Sequence, residues 1–411
     1  MRFIWPIIIF LIFVIPFVSC VLTPFLYYVI WGSLLVFLLA AFILKRRLPP
    51  SKNIAISALS FLAYLIIPVI FSKTPMQSLR YFFHFCVCIF AFLVFSRIDT
   101  KKKRLLSSII ILSSFFIALF AIYQHCIGFG DILKAIAENK VIIPERDKGY
   151  FLAALKGGKA VATFTTANLL SGYLAMVSLI ILGYMLDIPF AKRFFLLLPV
   201  LFINLCALYF TYRVAGAFSL CFGFIIFISL CLLKSPATIE RYKSALIPTV
   251  ILITIITTAI LVLRGSDLYR SEHLQSLQMT FNHRLIAWRF LTAKLTANPF
   301  QFLGLGNYRF ISFDFNSCPG GMHSIFVHNL FLQLWIEAGI AGLAIFIWFI
   351  VSLLIRGLHN LRKAKAGYFL DIGLISAVLA FLLSEMAGYA FFIGQASITW
   401  WALCGLLAAE S

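Results

Sequence analysis

Residues 323–346 read HSIFVHNLFLQLWIEAGIAGLAIF, a short segment with polar side chains that runs directly into an apolar span. At a helical spacing of about 100° per residue, Asn329, Gln333 and Glu337 fall on one stripe. His328 stands at the N-terminal edge of that stripe, and apolar residues fill the rest of the helix surface. The pattern predicts a helix that lies at the membrane surface and does not cross the membrane.

Two glycines mark where this surface helix gives way to a membrane span. Gly339 and Gly342 adjoin the apolar run 340–355, and glycine permits the turn or the close helix contact that such a junction requires. The junction holds His328 near the water interface, and we interpret His328 as the reactive residue. The alternative is an interfacial histidine whose hydrogen bonds are satisfied and which is not reactive. The other residues of the chain must decide between these two interpretations.

The composition is that of an integral membrane protein. Hydrophobic residues make up 63% of the 411 residues and charged residues only 12%, whereas soluble proteins are about half apolar and about a quarter charged. The net charge of +20 comes from 34 Lys and Arg that are scattered between apolar runs. A nucleic-acid-binding face would gather them, so we expect no nucleic-acid partner. The nine cysteines lie mostly inside apolar runs, which predicts neither a disulfide framework nor a metal site.

About 20 apolar residues cross a bilayer as a helix. The first apolar run, 1–20, imitates a signal peptide that ends in Ser19-Cys20, but a second apolar run follows at once, so we interpret the first as a span. The hydropathy pattern predicts twelve spans, at roughly 4–20, 25–44, 53–72, 81–97, 105–127, 168–186, 194–212, 214–233, 244–263, 339–355, 369–388 and 391–408.

The short connections rich in Lys and Arg all fall on one side of these spans, which the positive-inside rule makes the cytoplasm. The two longer loops, 128–167 and 264–327, then lie outside. We therefore expect three parts: nine spans within 1–263, an outer loop domain with the reactive helix at 264–338, and three final spans within 339–411.

Three arginines are predicted to reach the same outer face as His328. Arg213 stands between two tightly joined apolar runs, Arg284 begins a helix of the late outer loop one turn before Trp288, and Arg80 ends a short outer turn. The planar guanidinium binds paired phosphate oxygens through two parallel hydrogen bonds. Neutral imidazole is the usual general base near pH 7. The set predicts an anionic, lipid-anchored substrate, and no Asp-rich metal motif stands on an outer loop.

Several short motifs follow one another in a characteristic order. They are Arg213 in a Thr-x-Arg turn, Arg284 on the outer-loop helix, Asn298-Pro299 followed by Gly304-Leu-Gly306-Asn307, and His328-Asn329 followed by Glu337-Ala-Gly339 and Gly342-Leu. In this order they resemble the O-antigen ligase and polymerase superfamily of bacterial envelope enzymes. The number of spans and the large late outer loop are similar along nearly the whole chain.

The resemblance implies an all-α, polytopic protein of about twelve transmembrane helices, similar to GT-C glycosyltransferases, with a large helical periplasmic loop before the last three spans. It implies an inverting enzyme without metal or cofactor, in the bacterial inner membrane, with its active site facing the periplasm. The enzyme would move a glycan from undecaprenyl diphosphate to a lipid A core sugar, among membrane lipids. His328 would be the general base, Arg213 and Arg284 would hold the diphosphate, and Arg80 is a weaker candidate for that task.

Other functions remain open at this point. Within the superfamily, the chain length and the single late outer loop favour the ligase over the polymerase, which joins lipid-linked repeat units. A glycolipid flippase or transporter would also have about twelve spans, but would place its polar groups near the midplane. Glu385 is the clearest buried acid for such a role. An ordinary structural membrane protein is the last alternative.

Overall fold

The computed structural model describes residues 3–18, 24–44, 52–138, 157–188, 193–234, 271–308, 326–364 and 367–410. All regular secondary structure in these ranges is helical, as predicted. The α-helices are α1 Ile4–Val14, α2 Pro24–Leu44, α3 Lys52–Tyr64, α4 Ile66–Ile70, α5 Pro75–Phe95, α6 Thr100–Tyr123, α7 Phe129–Ala137, α8 Ala167–Leu186, α9 Arg193–Phe210, α10 Val214–Lys234, α11 Ser271–Ala297, α12 Leu330–Lys363, α13 Tyr368–Ser384 and α14 Gly394–Ala408.

The helices confirm the prediction of a polytopic membrane protein. Within the described residues, 7 helices are long and apolar enough to cross a membrane, and three shorter apolar helices accompany them. Each predicted span has a helix at its position, except the span 244–263, which lies outside the described residues. The long apolar helices are Phe25–Leu44, Lys52–Ile70, Pro75–Phe95, Thr100–Ala137, Ala167–Leu186, Val214–Lys234 and Leu330–Lys363.

Side chains at one end of the bundle tie several helices together. Asp187 at the end of α8 accepts a hydrogen bond from the backbone N–H of Phe369 near the start of α13 (3.1 Å). Lys234 at the end of α10 donates to the carbonyl of Leu361 near the end of α12 (2.7 Å). This arrangement agrees with the prediction that the basic connections share one side, and we call it the basic end. Its described basic residues are Arg97, Lys101, Lys102, Lys103, Arg104, Lys234, Arg356, Arg362 and Lys363.

Helix α8 lies at the centre of the bundle and fixes the direction of its neighbours. A Cβ on Gly172, near the start of α8, would lie 3.2 Å from the Oγ of Ser384 at the end of α13. A Cβ on Gly216, near the start of α10, would lie 2.5 Å from the Cβ of Ser171. Helix α8 is therefore antiparallel to α13 and parallel to α10. The starts of α8 and α10 and the end of α13 meet opposite the basic end, at what we call the loop end.

Helix α11 packs against the first part of α12 through a small apolar cluster of its own. Leu291, Leu295, Tyr308, Val327 and Ile336 are its buried members. Helix α11 ends at Ala297, two residues before Pro299, which has no N–H to continue the helix. Of the predicted loop domain 264–338, the structure describes 271–308 and 326–338.

Helix α12 is two helices joined by a kink at Gly339, where φ is 75° and ψ is 172°. This conformation is almost restricted to glycine. The carbonyl groups that the kink frees are bound: Glu337 accepts from the N–H of Gly304 (3.1 Å), and Ala338 accepts from the hydroxyl of Tyr64 (2.9 Å). On the far side of the kink, the N–H of Ile340 donates to a carbonyl of the 298–308 loop (3.1 Å). The junction predicted from the glycines is confirmed.

Candidate active site

His328 precedes α12 and does not lie on it. The helix begins at Leu330, and Asn329 is its N-cap, whose side chain accepts from the N–H groups of Phe331 and Leu332 (3.1 Å each). His328 itself has φ 56°, in the left-handed region that side chains other than glycine adopt at a cost. His328 thus stands directly before the N-cap, at the N-terminal edge of the predicted stripe but outside the helix.

The predicted polar stripe exists, but it faces inward. Gln333 and Glu337 are both buried, and the Gln333 Nε2 donates to the Glu337 Oε1 (2.6 Å). The Gln333 Oε1 also accepts from the N–H of Val327 (2.7 Å), directly before His328. The stripe thus fixes the backbone that carries the imidazole.

The glycine turn 303–308 supports the same region from below the kink. Gly304 and Gly306 have φ of 91° and 69°, and a Cβ on Gly306 would lie 2.3 Å from the ring of Tyr81. The Asn307 side chain donates to the carbonyl of Leu303 (3.0 Å) and bonds to hydroxyl groups at the start of α5. The turn therefore joins α5 to α12.

Arg284 lies in the interior of α11, because the helix begins at Ser271, and the prediction that Arg284 begins that helix was wrong. Its Nη1 donates to the carbonyl of Ala387 (3.2 Å). Its Nε is buried and has no hydrogen-bond acceptor among the described residues. Burial lowers the pKa of Arg284, with a smaller opposite effect from Tyr389. The guanidinium is thus held at one corner and keeps donors for another group.

The imidazole of His328 is close enough to Arg284 to be affected by its charge. Burial, and then the positive charge of Arg284, lower the pKa of His328 to about 3. The Nδ1 atom is buried and has no hydrogen-bond partner among the described residues. The ring of Tyr389 meets the imidazole edge-on, with 5.0 Å between centroids and 79° between planes. At neutral pH His328 is uncharged and able to accept a proton.

The turn 385–393 between α13 and α14 contacts the start of α12, Arg284 and His328. The backbone carbonyl of Glu385 accepts from the N–H of Leu330 (2.9 Å), which opens α12. The Glu385 carboxylate accepts from the N–H of Phe391 (2.8 Å), so it binds its own turn and not a neighbouring helix. Tyr389 escaped the sequence analysis, since it is one of 15 tyrosines. The short polar break between two apolar runs was the only available signal.

Arg213 lies at the loop end, in the short turn between α9 and α10. It follows Tyr212, whose φ is 51°, and the contact of α10 with α8 places it at the same end as His328. The start of α8 connects the region of Arg213 with the region of His328. The hydroxyl of Tyr389, whose ring contacts His328, lies 3.4 Å from the Oγ1 of Thr166, directly before α8. Arg213 thus lies at the loop end, while the charge that acts on the His328 imidazole comes from Arg284.

Arg80 is exposed in the second turn of α5, near the loop end. Ser78, two residues earlier on the buried face of α5, donates to the carbonyl of Leu305 (2.9 Å), whereas Arg80 lies on the exposed face. In the described part of the chain Arg80 makes no hydrogen bond or ion pair. The structure brings Arg284 to His328 and leaves Arg80 at the periphery.

Comparison with known proteins adds one finding. Residues 199–347 match the O-antigen ligase family. The matched range contains Arg213, Arg284 and His328, whereas Arg80 and Tyr389 lie outside it. The match confirms the resemblance to the O-antigen ligase and polymerase superfamily and indicates a glycan-transferring enzyme with lipid-linked glycan substrates. Comparison with curated proteins gave no match, and neither did comparison with solved structures.

Proposed function

We propose that this protein is an O-antigen ligase that transfers a glycan from undecaprenyl diphosphate to a sugar hydroxyl of the lipid A core. The observation that supports this most is the pairing of a partly buried arginine with a neutral histidine at the loop end. A guanidinium with free donors suits a diphosphate, and an uncharged imidazole suits a hydroxyl proton. The family match includes both residues.

In the proposed reaction, the acceptor oxygen attacks the anomeric carbon as the bond from that carbon to the diphosphate breaks. His328 takes the hydroxyl proton, and the bonding electrons leave on undecaprenyl diphosphate. Attack from the opposite face inverts the anomeric configuration. Arg284 and Arg213 stabilise the negative charge that gathers on the leaving diphosphate, and Arg80 is the weakest of the three candidates. No metal takes part in this proposal.

The low pKa of His328 is compatible with this role because the donor itself carries charge. An imidazole with a pKa of about 3 is a weak base in the empty site. A diphosphate bound at Arg284 adds negative charge and offsets the positive charge that lowers the pKa. Donor binding would therefore offset the smaller of the two causes and raise the basicity of His328, while the larger cause, burial, remains.

The proposed membrane orientation follows from charge. The basic end holds most of the described Lys and Arg of the short connections, so we assign it to the cytoplasm. The loop end, with His328 and Arg284, then faces the periplasm across the bacterial inner membrane. A transporter would keep such groups near the midplane, and the position of this pair at one end of the bundle favours transfer chemistry.

The decisive experiment incubates the purified protein in nanodiscs with lipid-linked glycan, with and without lipid A core. We expect glycan on the core only when both substrates are present, and none with the His328→Ala variant. A ladder of lengthening lipid-linked glycan without core would assign the polymerase reaction instead. Movement of intact lipid-linked glycan between leaflets without transfer would favour the flippase.

A further inference from the structure

The turn 385–393 carries an aromatic ring, that of Tyr389, next to the imidazole of His328. Tyr389 meets the imidazole edge-on at 5.0 Å and stacks on Phe326 with 4.6 Å between centroids and 10° between planes. Its hydroxyl reaches the Oγ1 of Thr166 at the start of α8 (3.4 Å). The Tyr389 side chain is therefore held by Phe326 at its ring and by Thr166 at its hydroxyl.

We propose that Tyr389 is a positioning residue that covers the His328 imidazole, excludes water from it and fixes the plane of its ring. This inference rests on the proposed function, in which His328 is the base. The family match ends before Tyr389, so the sequence comparison does not assign the residue a role. The contact geometry, and not a hydrogen bond to His328, is what supports it.

The backbone at His328 is strained, with φ 56°, and such a conformation persists only where the surrounding contacts hold it. Gln333 fixes the preceding N–H, and Asn329 caps the following helix, but neither bonds to the imidazole. In the described residues the imidazole has ring contact with Tyr389 alone. Tyr389 is thus the side chain that can restrict rotation of the ring.

The charged and titratable groups around His328 define the expected pH response. Arg284 approaches from α11 and Tyr389 from the turn, while the carboxylates of Glu337 and Glu385 are engaged by Gln333 and by a backbone N–H. Because burial contributes most to the low pKa of His328, removing the covering ring admits water and moves that pKa up toward its ordinary value. Catalysis by the neutral imidazole is then lost as pH falls through the new pKa.

The test compares Tyr389→Ala and Tyr389→Phe with the wild type across pH 5 to 8. We expect kcat/KM, corrected for donor ionisation by the wild-type profile, to stay flat for Tyr389→Phe, which keeps the ring. For Tyr389→Ala it should fall about tenfold from pH 7.5 to 5.5, as for a base with the ordinary pKa near 6.5. Tyr368→Ala, a matched change at the basic end, should keep the wild-type profile.

A second measurement does not need the transfer reaction. Diethyl pyrocarbonate modifies neutral imidazole, and peptide mass spectrometry reports the rate at His328, with exposed His359 as the internal reference. We expect slow modification in the wild type and in Tyr389→Phe, and fast modification that declines below about pH 6.5 in Tyr389→Ala. A flat profile and a wild-type modification rate in Tyr389→Ala would overturn the proposal. Fast modification together with an inactive wild type would support the shielding and reject the ligase function.

Discussion

Two buried cations, Lys103 near the basic end and Arg284 at the loop end, are held in different ways. Lys103 forms an ion pair with Asp371, and their side chains are 3% and 2% exposed. Arg284 has one backbone carbonyl and a neutral histidine beside it, with no carboxylate partner in the described residues. A buried charge that is paired inside the protein needs no further counter-ion, whereas a buried cation without a counter-ion is suited to an anionic ligand.

The largest expected effect is at His328, the proposed base near Arg284, whose buried charge has no carboxylate partner in the described residues. His328→Ala removes the proton acceptor, so we expect transfer to fall by about 10²- to 10⁴-fold, the usual contribution of general base catalysis. Melting temperature and membrane insertion should stay near wild type, since the side chain has no hydrogen bond at Nδ1 to lose. Transfer assays in nanodiscs, with fluorescence-detected thermal unfolding as the control, provide the measurement. Normal activity in His328→Ala would remove the assignment.

The paired cation should show the opposite behaviour. Lys103→Met breaks the buried ion pair with Asp371, which costs about 3–5 kcal/mol. We expect a lower melting temperature but an unchanged kcat/KM for the protein that remains folded. The double variant Lys103→Met with Asp371→Leu should recover most of the stability. If Lys103→Met lost activity without losing stability, the basic end would have a functional role, contrary to the expectation that the Lys103–Asp371 pair contributes to stability alone.

The parts of this architecture that could be predicted from the sequence depend on local signals. A run of apolar residues is sufficient to predict a membrane span, and eleven of the twelve predicted spans have helices at their positions. Gly339 and Pro299 also act locally, one through a backbone conformation that few residues adopt and the other through a missing N–H. Each signal needs no knowledge of what packs against it.

The site itself depends on contacts that no local pattern encodes. Arg284 and His328 were both predicted, but the sequence could not show that Arg284 is the arginine whose charge acts on the imidazole. The start of α11 was missed because its first turns, SEHLQSLQ, are polar and lack a clear apolar face. Tyr389 was missed because its importance comes from a contact across the fold with Phe326 and His328.

A graded series of conservative variants sharpens the distinction between the arginines. Arg284→Lys keeps the charge but loses the fork, and loss of a charge-assisted hydrogen bond of about 1.5–3 kcal/mol corresponds to about a 10- to 150-fold lower kcat/KM. Arg213→Lys should also impair transfer. Arg80→Lys should change it least, because Arg80 is exposed and peripheral. Donor titrations of the three variants measure the order, and equal effects would show that the contact to His328 does not distinguish Arg284.

The smallest expected effect concerns the kink at Gly339, which sets the angle between the two parts of α12. Gly339→Ala places a side chain where φ is 75° and ψ is 172°, which costs about 1–3 kcal/mol, although the nearest atom to the new Cβ is 3.4 Å away. The cost thus lies in the backbone and not in packing. Gly32→Ala, in the interior of α2 with no atom within 4 Å of its Cβ, is the matched control and should be neutral or slightly stabilising. Thermal unfolding compares the two, and equal melting temperatures would mean that α12 does not need the kink. If Gly339→Ala is destabilised and also loses transfer, the kink positions Gln333 and Glu337, and through them the backbone before His328.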